Sequence, residues 1–426
     1  MYLKKVILQN IRAHSGLTLD FNNFPGWHVL IGDNGAGKST LVRAIALALA
    51  GPTEIAALRQ DWREWLRTGC PKGSVTLHLN PTPTWDKRTG KGRYLQNYYL
   101  ALALDFDRHT TGGRQTVTVT AQKRRTNPRS YVWGTGSGWF SASYGPFRRF
   151  SGGDKDYEKL FYSNPRLAPH LTVFGEDIAL TEALSWLQQL RVRQLEGEIS
   201  SEPLELLTAF VNESGLLPHD TRLKKVTGTQ VLFLDGNGCE LRVEHLSDGY
   251  RSVLSLTFEL LRQLAAAYGD DVLWQQLRDH KDAIKLPGVV LIDEVDAHLH
   301  PTWQRTIGLW FRQRFPLIQF IVTTHSPLVC QAADAGSVWQ LSKPGEGGGI
   351  RKVTGVEYAR LVYGNVLDAL GTDLFGKDVA RSDAAFKKLQ RLAQLNLKSV
   401  KGSITDEEHR ELEDLRKIFP SDAGSM

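Results

Sequence analysis

One stretch constrains this chain more than any other: Gly32-Asp33-Asn34-Gly35-Ala36-Gly37-Lys38-Ser39-Thr40. It follows a short apolar run, Trp27-His28-Val29-Leu30-Ile31, and precedes an Ala- and Leu-rich segment from Lys38 to about Ala50 that Gly51-Pro52 stops. Periodicity reads these as a buried strand, a glycine turn and a helix, the context in which such a pattern cradles phosphate. The glycines let backbone N–H groups turn inward around β- and γ-phosphate oxygens, and the helix N-terminus adds positive potential. Asn34, Gly35, Gly37, Lys38, Ser39 and Thr40 are therefore the expected nucleotide-binding set, with Lys38 a point charge on the phosphates and the Ser39 hydroxyl reaching Mg²⁺.

Three further motifs follow in order along the chain. Leu246-Ser247-Asp248-Gly249 opens a long helix, so that Ser247 and Gly249 offer an anion a hydroxyl, free N–H groups and a dipole, unless Ser247 is an ordinary N-cap. Val289-Val290-Leu291-Ile292-Asp293-Glu294 is an apolar strand ending in two acids, as at the ligand crevice of a parallel sheet. Asp293 is expected to hold Mg²⁺ through water and Glu294 to orient and deprotonate an attacking water; paired acids also serve as helix caps. Thr323-Thr324-His325-Ser326-Pro327 follows another apolar run, and His325 is placed to contact the γ-phosphate or to be a satisfied structural histidine.

Around these motifs, strands and helices alternate from Val289 to Leu341, which implies a parallel sheet covered by helices. Val75 to Leu79, Tyr98 to Phe106 and Thr116 to Thr120 read as an antiparallel set, and Asp235-Gly236-Asn237-Gly238 turns a hairpin. Helices are expected over Asp177–Arg193, Glu202–Ser214 and about Gly249–Tyr268. After Gly376 the pattern changes to two helices, the second started by a capping box at Thr405-Asp406-Glu407-Glu408.

Of the 426 residues, 41% are hydrophobic and no run approaches a membrane span, so a soluble protein is expected. Nothing near the N-terminus resembles a signal peptide, and three cysteines without metal or disulfide spacing suit a reducing cytoplasm. The net charge of +6 is uneven: Pro81 to Arg166 holds 15 Lys/Arg against 6 Asp/Glu, and 15 of the 40 aromatics. Such a block suits nucleic-acid contact, and equally a twisted antiparallel sheet with rings packed across strands and cations on its wet face.

The order of phosphate loop, Leu-Ser-Asp-Gly signature, acidic strand end and switch histidine resembles that of ABC ATPases, over residues 1 to about 345. The resemblance implies an α/β P-loop fold with a mixed central sheet, an antiparallel β insertion, a helical subdomain and C-terminal helices. It implies ATP and Mg²⁺ as cofactors and slow hydrolysis by Glu294, His325 and Lys38. It also implies a homodimer in which Ser247 and Gly249 close over nucleotide bound by the partner. Arg12, in Asn10-Ile11-Arg12, looks like the nucleotide-touching arginine of the RecF and SMC branch. The domain reading is 1–375 for the ATPase, with the basic β region at 74–125 and a helical and hairpin insertion at 151–245, then a helical tail at 376–426.

Two departures narrow the likeness. The Ser141–Arg149 stretch stands where the family's Q-loop glutamine would be sought, leaving a second Mg²⁺ contact unassigned. His300, in Asp296-Ala297-His298-Leu299-His300-Pro301, replaces the aspartate of transporters and resembles OLD-type antiphage ATPases. Ser-Tyr-Gly-Pro-Phe-Arg and the helical tail look most like the ATPase subunits of Septu and retron-associated defence systems, whose partner is an HNH nuclease. Only about 100 residues follow His325, too few for a nuclease domain as well, so the effector, nuclease or toxin, is expected on another chain. The alternatives are a RecF-like DNA-binding repair ATPase and an ATP-bound scaffold with very slow turnover.

Overall fold

The computed structural model describes residues 1–22, 25–89, 100–123, 126–134, 137–148, 150, 160, 163–175, 181–346, 349–370, 372, 374–375 and 382–419. It divides into two compact units, Met1–Gly364 and Asn365–Met426. The break lies upstream of the Gly376 composition change because the short helix Val366–Leu370 groups with the tail.

The first unit is built on two sheets. One is antiparallel and five-stranded, in the order β2-β1-β4-β5-β6, from β1 (Tyr2–Ile11), β2 (His14–Asp20), β4 (Lys72–Asn80), β5 (Leu100–Thr111) and β6 (Arg114–Ala121). The β5–β6 register pairs Thr111 with Arg114, so Gly112 and Gly113 form a two-residue turn whose φ of 57° and 77° suits glycine. The expected basic β region therefore acquires two N-terminal strands as neighbours.

The other sheet is mixed and six-stranded, in the order β14-β13-β3-β12-β11-β7. Its strands are β3 (Gly26–Ile31), β7 (Ser141–Tyr144), β11 (Gly288–Ile292), β12 (Ile318–Thr323), β13 (Gly336–Leu341) and β14 (Ile350–Lys352). All neighbours are parallel except β13 and β14. β3, β11 and β12 are buried at every residue, which is why they read as unbroken apolar runs.

Helix α1 (Lys38–Ala50) shares one hydrophobic core with both sheets, and this explains why it is apolar nearly all round. It stops at Gly51, φ 88°, where the Trp133 indole N–H donates to the Ala48 carbonyl at 3.0 Å. Beyond it come α2 (Thr181–Leu195), α3 (Glu202–Glu213), the three-stranded sheet β10-β9-β8 (Glu240–Arg242, Val231–Leu234, Arg222–Val226), α4 (Asp248–Tyr268), α5 (Asp270–His280) and α6 (Pro301–Arg314). β8 adds a strand to the hairpin expected from the turn signal.

In the second unit Asp383–Val400 and Asp406–Ile418 pack around Leu392, Leu395, Leu412 and Leu415, and the Thr405–Glu408 capping box forms. No single helix among the described residues is long and apolar enough to cross a membrane.

Candidate nucleotide site

Parallel register brings the strand ends together. Thr323 lies opposite Leu30, Ile292 opposite Val322, and Ile292 opposite Tyr144. The residues that follow β3, β11, β12 and β7 thus share the carboxyl edge of one sheet, where open α/β folds hold ligands. Those residues are the Gly32–Thr40 loop, Asp293 with Glu294, Thr324 with His325, and the Gly145–Arg148 turn.

Within the loop, Gly35 and Gly37 have φ of 80° and 93°, and Gly37 is the N-cap of α1 without a side-chain cap. Lys38 folds back on the loop, its ammonium donating to the carbonyls of Gly32 at 2.8 Å and Asp33 at 3.2 Å. Burial lowers its pKa, opposed by the negative charges of Asp293, Glu294, Asp33 and Asp296. Ser39 and Thr40 are half-buried, Asn34 and Gly35 exposed.

Asp293 is buried, and its Oδ1 accepts the Thr323 hydroxyl at 2.6 Å. The same Thr323 oxygen accepts the Glu294 amide at 2.7 Å. Glu294 has φ 48°, an uncommon backbone for a non-glycine residue, and its carboxylate accepts no hydrogen bond among the described residues. His325 is exposed; its backbone N–H points to Asp296 Oδ2 at 3.4 Å. Among the described residues no group of three or more His, Cys, Asp or Glu is arranged to hold a metal. A cation beside Asp293 and Ser39 would need oxygens from a phosphate chain and water, which is how Mg²⁺ is usually bound.

Arg12 and the signature residues come from other elements, the β1–β2 turn and the start of α4. Arg12 (φ 47°) stacks its guanidinium over the Trp65 ring at 4.3 Å, and its pKa is lowered by burial and by Arg43, with Glu64 opposing. Two residues on, buried His14 lies 3.1 Å from the Gly37 carbonyl, so the β1–β2 turn abuts the phosphate loop. Ser247 is exposed and its hydroxyl does not cap its own helix, which leaves it available at the α4 N-terminus. Gly249 is buried: a Cβ there would meet the His298 carbonyl at 3.0 Å and the Trp303 ring at 3.3 Å, an intrachain reason for glycine.

Sequence reading did not pick out His14, Thr323 or Arg148 as site residues. Thr323 carried a signal, a hydroxyl at the end of a buried strand beside the quoted histidine. His14 carried none.

The basic, aromatic-rich block has a different outcome. Phe106, Tyr131, Trp133, Trp139, Phe140, Tyr144 and Phe150 are buried, and among the described residues there Phe147 is the exposed large apolar side chain. These rings are core, while Tyr94, Tyr98, Tyr99, Tyr157, Phe161 and Tyr162 of the same block lie outside the described residues. Lys123 and Arg129 remain exposed, while Arg124 and Arg125 lie outside the described residues.

Fold and strand-end motifs together define a P-loop ATPase-type domain with the motif order of the ABC class. Residues 83–331 match the family described as "AAA domain, putative AbiEii toxin, Type IV TA system", and the chain belongs to that family. The match takes in Ser247, Asp293, Glu294 and His325 and begins downstream of the phosphate loop. The chain is 38% identical over 125 residues to the Escherichia coli "Retron Ec83 probable ATPase", covering 29% of this chain and 21% of that protein. It is 26% identical over 343 residues to the "Septu protein PtuA" of Bacillus mycoides, covering 79% of this chain and 40% of the relative. It therefore spans less than half the length of either relative. Among solved structures, the Smc head domain of Pyrococcus furiosus with an extended coiled coil, bound to the C-terminal domain of ScpA, superposes with a TM-score of 0.46 at 16% identity, over 83% of this chain and 96% of that one.

Proposed function

We propose that this chain is the ATP-binding and ATP-hydrolysing regulatory subunit of an antiphage defence complex, controlling a separate nuclease or toxin through nucleotide-dependent dimerisation. The observation that carries the reading is the convergence of the phosphate loop, the Asp293–Glu294 pair and the His325 turn on one sheet edge. The Septu and retron relatives support the defence setting, and the resemblance to those systems makes a separate effector, with an HNH nuclease the first candidate, the reading to test. A cytoplasmic location fits the three free cysteines.

In this reading the loop amides from Asn34 to Thr40 hold the phosphates, and Lys38 exchanges its two carbonyl partners for phosphate oxygens. Ser39 and Asp293 would hold Mg²⁺, which when bound would neutralise charge building on the phosphates. Glu294 takes the proton of the attacking water, and His325 orients the γ-phosphate. Arg12 lies near the nucleotide, and Ser247 and Gly249 complete the site of a partner chain.

Glu294→Gln tests the reading. The amide keeps the shape and removes the base, so Mg²⁺-ATP should bind as to wild type while turnover falls at least ~tenfold. Unchanged turnover would remove Glu294 from the mechanism. Affinity purification from the native host, with mass spectrometry of co-purifying chains, tests the effector; recovery of nucleic acid without a protein partner would favour a RecF-like role.

A further inference from the structure

Arg148, in the Ser-Tyr-Gly-Pro-Phe-Arg stretch, is buried, and each of its five N–H groups has an acceptor. Nε donates to Ser252 Oγ at 3.0 Å. Nη1 donates to the carbonyls of Gly145 at 2.9 Å and Asp293 at 3.0 Å, and Nη2 to those of Glu294 at 3.1 Å and Val295 at 3.4 Å. One planar side chain thereby joins the end of β7, three consecutive carbonyls after β11, and the second turn of α4.

A buried guanidinium is costly unless paired. Burial lowers its pKa to about 10, opposed by Asp296, Asp293 and Glu294, so it remains a cation at neutral pH. Asp296 also receives the His325 amide, and its buried Oδ1 has no hydrogen-bond partner among the described residues, so its charge offsets the cation.

The contact at Glu294 matters most for chemistry. This residue sits in the left-handed region, its N–H held by Thr323 and its carbonyl by Arg148. With both flanking peptide groups pinned, the clamp sets the direction in which the Glu294 side chain leaves the backbone. Ser252 lies on the helix that Ser247 opens, so a shift of that helix pulls on the same guanidinium.

We propose that Arg148 is a positioning residue that ties the Glu294 turn to α4, so that docking at the α4 N-terminus sets the geometry of the general base. The proposal rests on reading Glu294 as that base. Lysine cannot replace the fork, since three donors on a flexible stem cannot reach five acceptors on three segments.

The test compares wild type, Arg148→Lys and Ser252→Ala in steady-state ATP hydrolysis, binding of a non-hydrolysable ATP analogue, and amide hydrogen exchange over residues 293–297. Arg148→Lys should lose at least ~tenfold in kcat, with KM and analogue affinity within about threefold of wild type. Exchange at residues 293–297 should rise. Ser252→Ala, which keeps four of the five bonds, should lower kcat about threefold and raise the same exchange less. If Arg148→Lys does not fold, Ser252→Ala carries the test alone. A folded variant with wild-type kcat and wild-type exchange would overturn the clamp, as would a loss confined to nucleotide affinity. A wild-type protein that does not hydrolyse ATP would sink the reading of Glu294 instead, and the exchange comparison would still decide whether Arg148 orders the turn.

Discussion

Thr323 donates its hydroxyl to Asp293 Oδ1 at 2.6 Å across the β11–β12 pair, and the same oxygen accepts the Glu294 amide at 2.7 Å. One hydroxyl on one strand thus orders two acids on the next. Thr323→Val keeps the branched shape the strand favours and removes both bonds, leaving a buried carboxylate oxygen and an N–H unsatisfied. Such loss costs about 1–3 kcal/mol per group, and turnover should fall at least ~tenfold, with Thr323→Ser near wild type. Thermal melts and kcat check this; full turnover in Thr323→Val would mean that Asp293 is held by other contacts.

Local signals account for what was readable in advance. The strand–loop–helix around Gly32–Thr40, the acid pair at the end of an apolar run, the Gly112-Gly113 turn and the Thr405 capping box are each set by neighbouring residues, and each stands as read. What stayed illegible depends on distant partners. β1 pairs with β4, placing Gln9 opposite Ser74, and no periodicity within either strand names the other. Aromatics around Tyr131 to Tyr144 read as a stacking surface or a core until packing put them inside. Thr323, His14 and Arg148 acquire their roles only when strand ends from four parts of the chain meet.

Gly37 offers a steric prediction. At φ 93° an added Cβ would lie 2.6 Å from His14 Nε2, whereas at Gly35, φ 80°, it would meet only Pro344 at 3.5 Å. Both alanine variants carry left-handed strain of roughly 1–2 kcal/mol, but Gly37→Ala adds a collision with a buried ring under the loop. Titration with a fluorescent ATP analogue should show Gly37→Ala the weaker binder by at least ~tenfold. Equal affinities would mean that the His14 contact relaxes at no cost.

His170 supplies a pH dependence. It is buried between Ser143 Oγ at 2.5 Å and Ser141 Oγ at 3.2 Å, and burial pushes its pKa down to about 3 from an ordinary 6.5. The native state therefore holds this ring neutral where the unfolded chain binds a proton. Its share of stability is complete above pH 6.5 and is lost as pH falls toward 3, about 2 kcal/mol by pH 5. His14, also lowered by burial, acts with the same sign. Urea midpoints at pH 7.5 and pH 5 should separate accordingly, and His170→Gln should narrow the gap. An unchanged gap in a folded His170→Gln would mean that other groups govern acid unfolding.

The composite site gives the most demanding prediction. Lys38 lies in the loop after β3 with its ammonium turned onto Gly32 and Asp33, while Ser247 stands exposed at the start of α4 with its hydroxyl not capping that helix. If the two act on one phosphate across a two-fold interface, each is needed from a different protomer. Lys38→Ala and Ser247→Arg should then each give nearly inactive homodimers, because every site lacks one half. Mixed after dissociation, or coexpressed with separate tags, they form heterodimers with one doubly damaged site and one intact site. Random pairing makes half the dimers mixed and half their sites sound, so about a quarter of wild-type hydrolysis should return. If the two sites fire only together, hydrolysis stays low, and the isolated heterodimer should still retain one ATP where either homodimer retains none. Full activity in Ser247→Arg alone would exclude the shared site. So would a Glu294→Gln protein that stays monomeric with saturating ATP at high concentration, since blocking hydrolysis should trap the nucleotide-bound dimer.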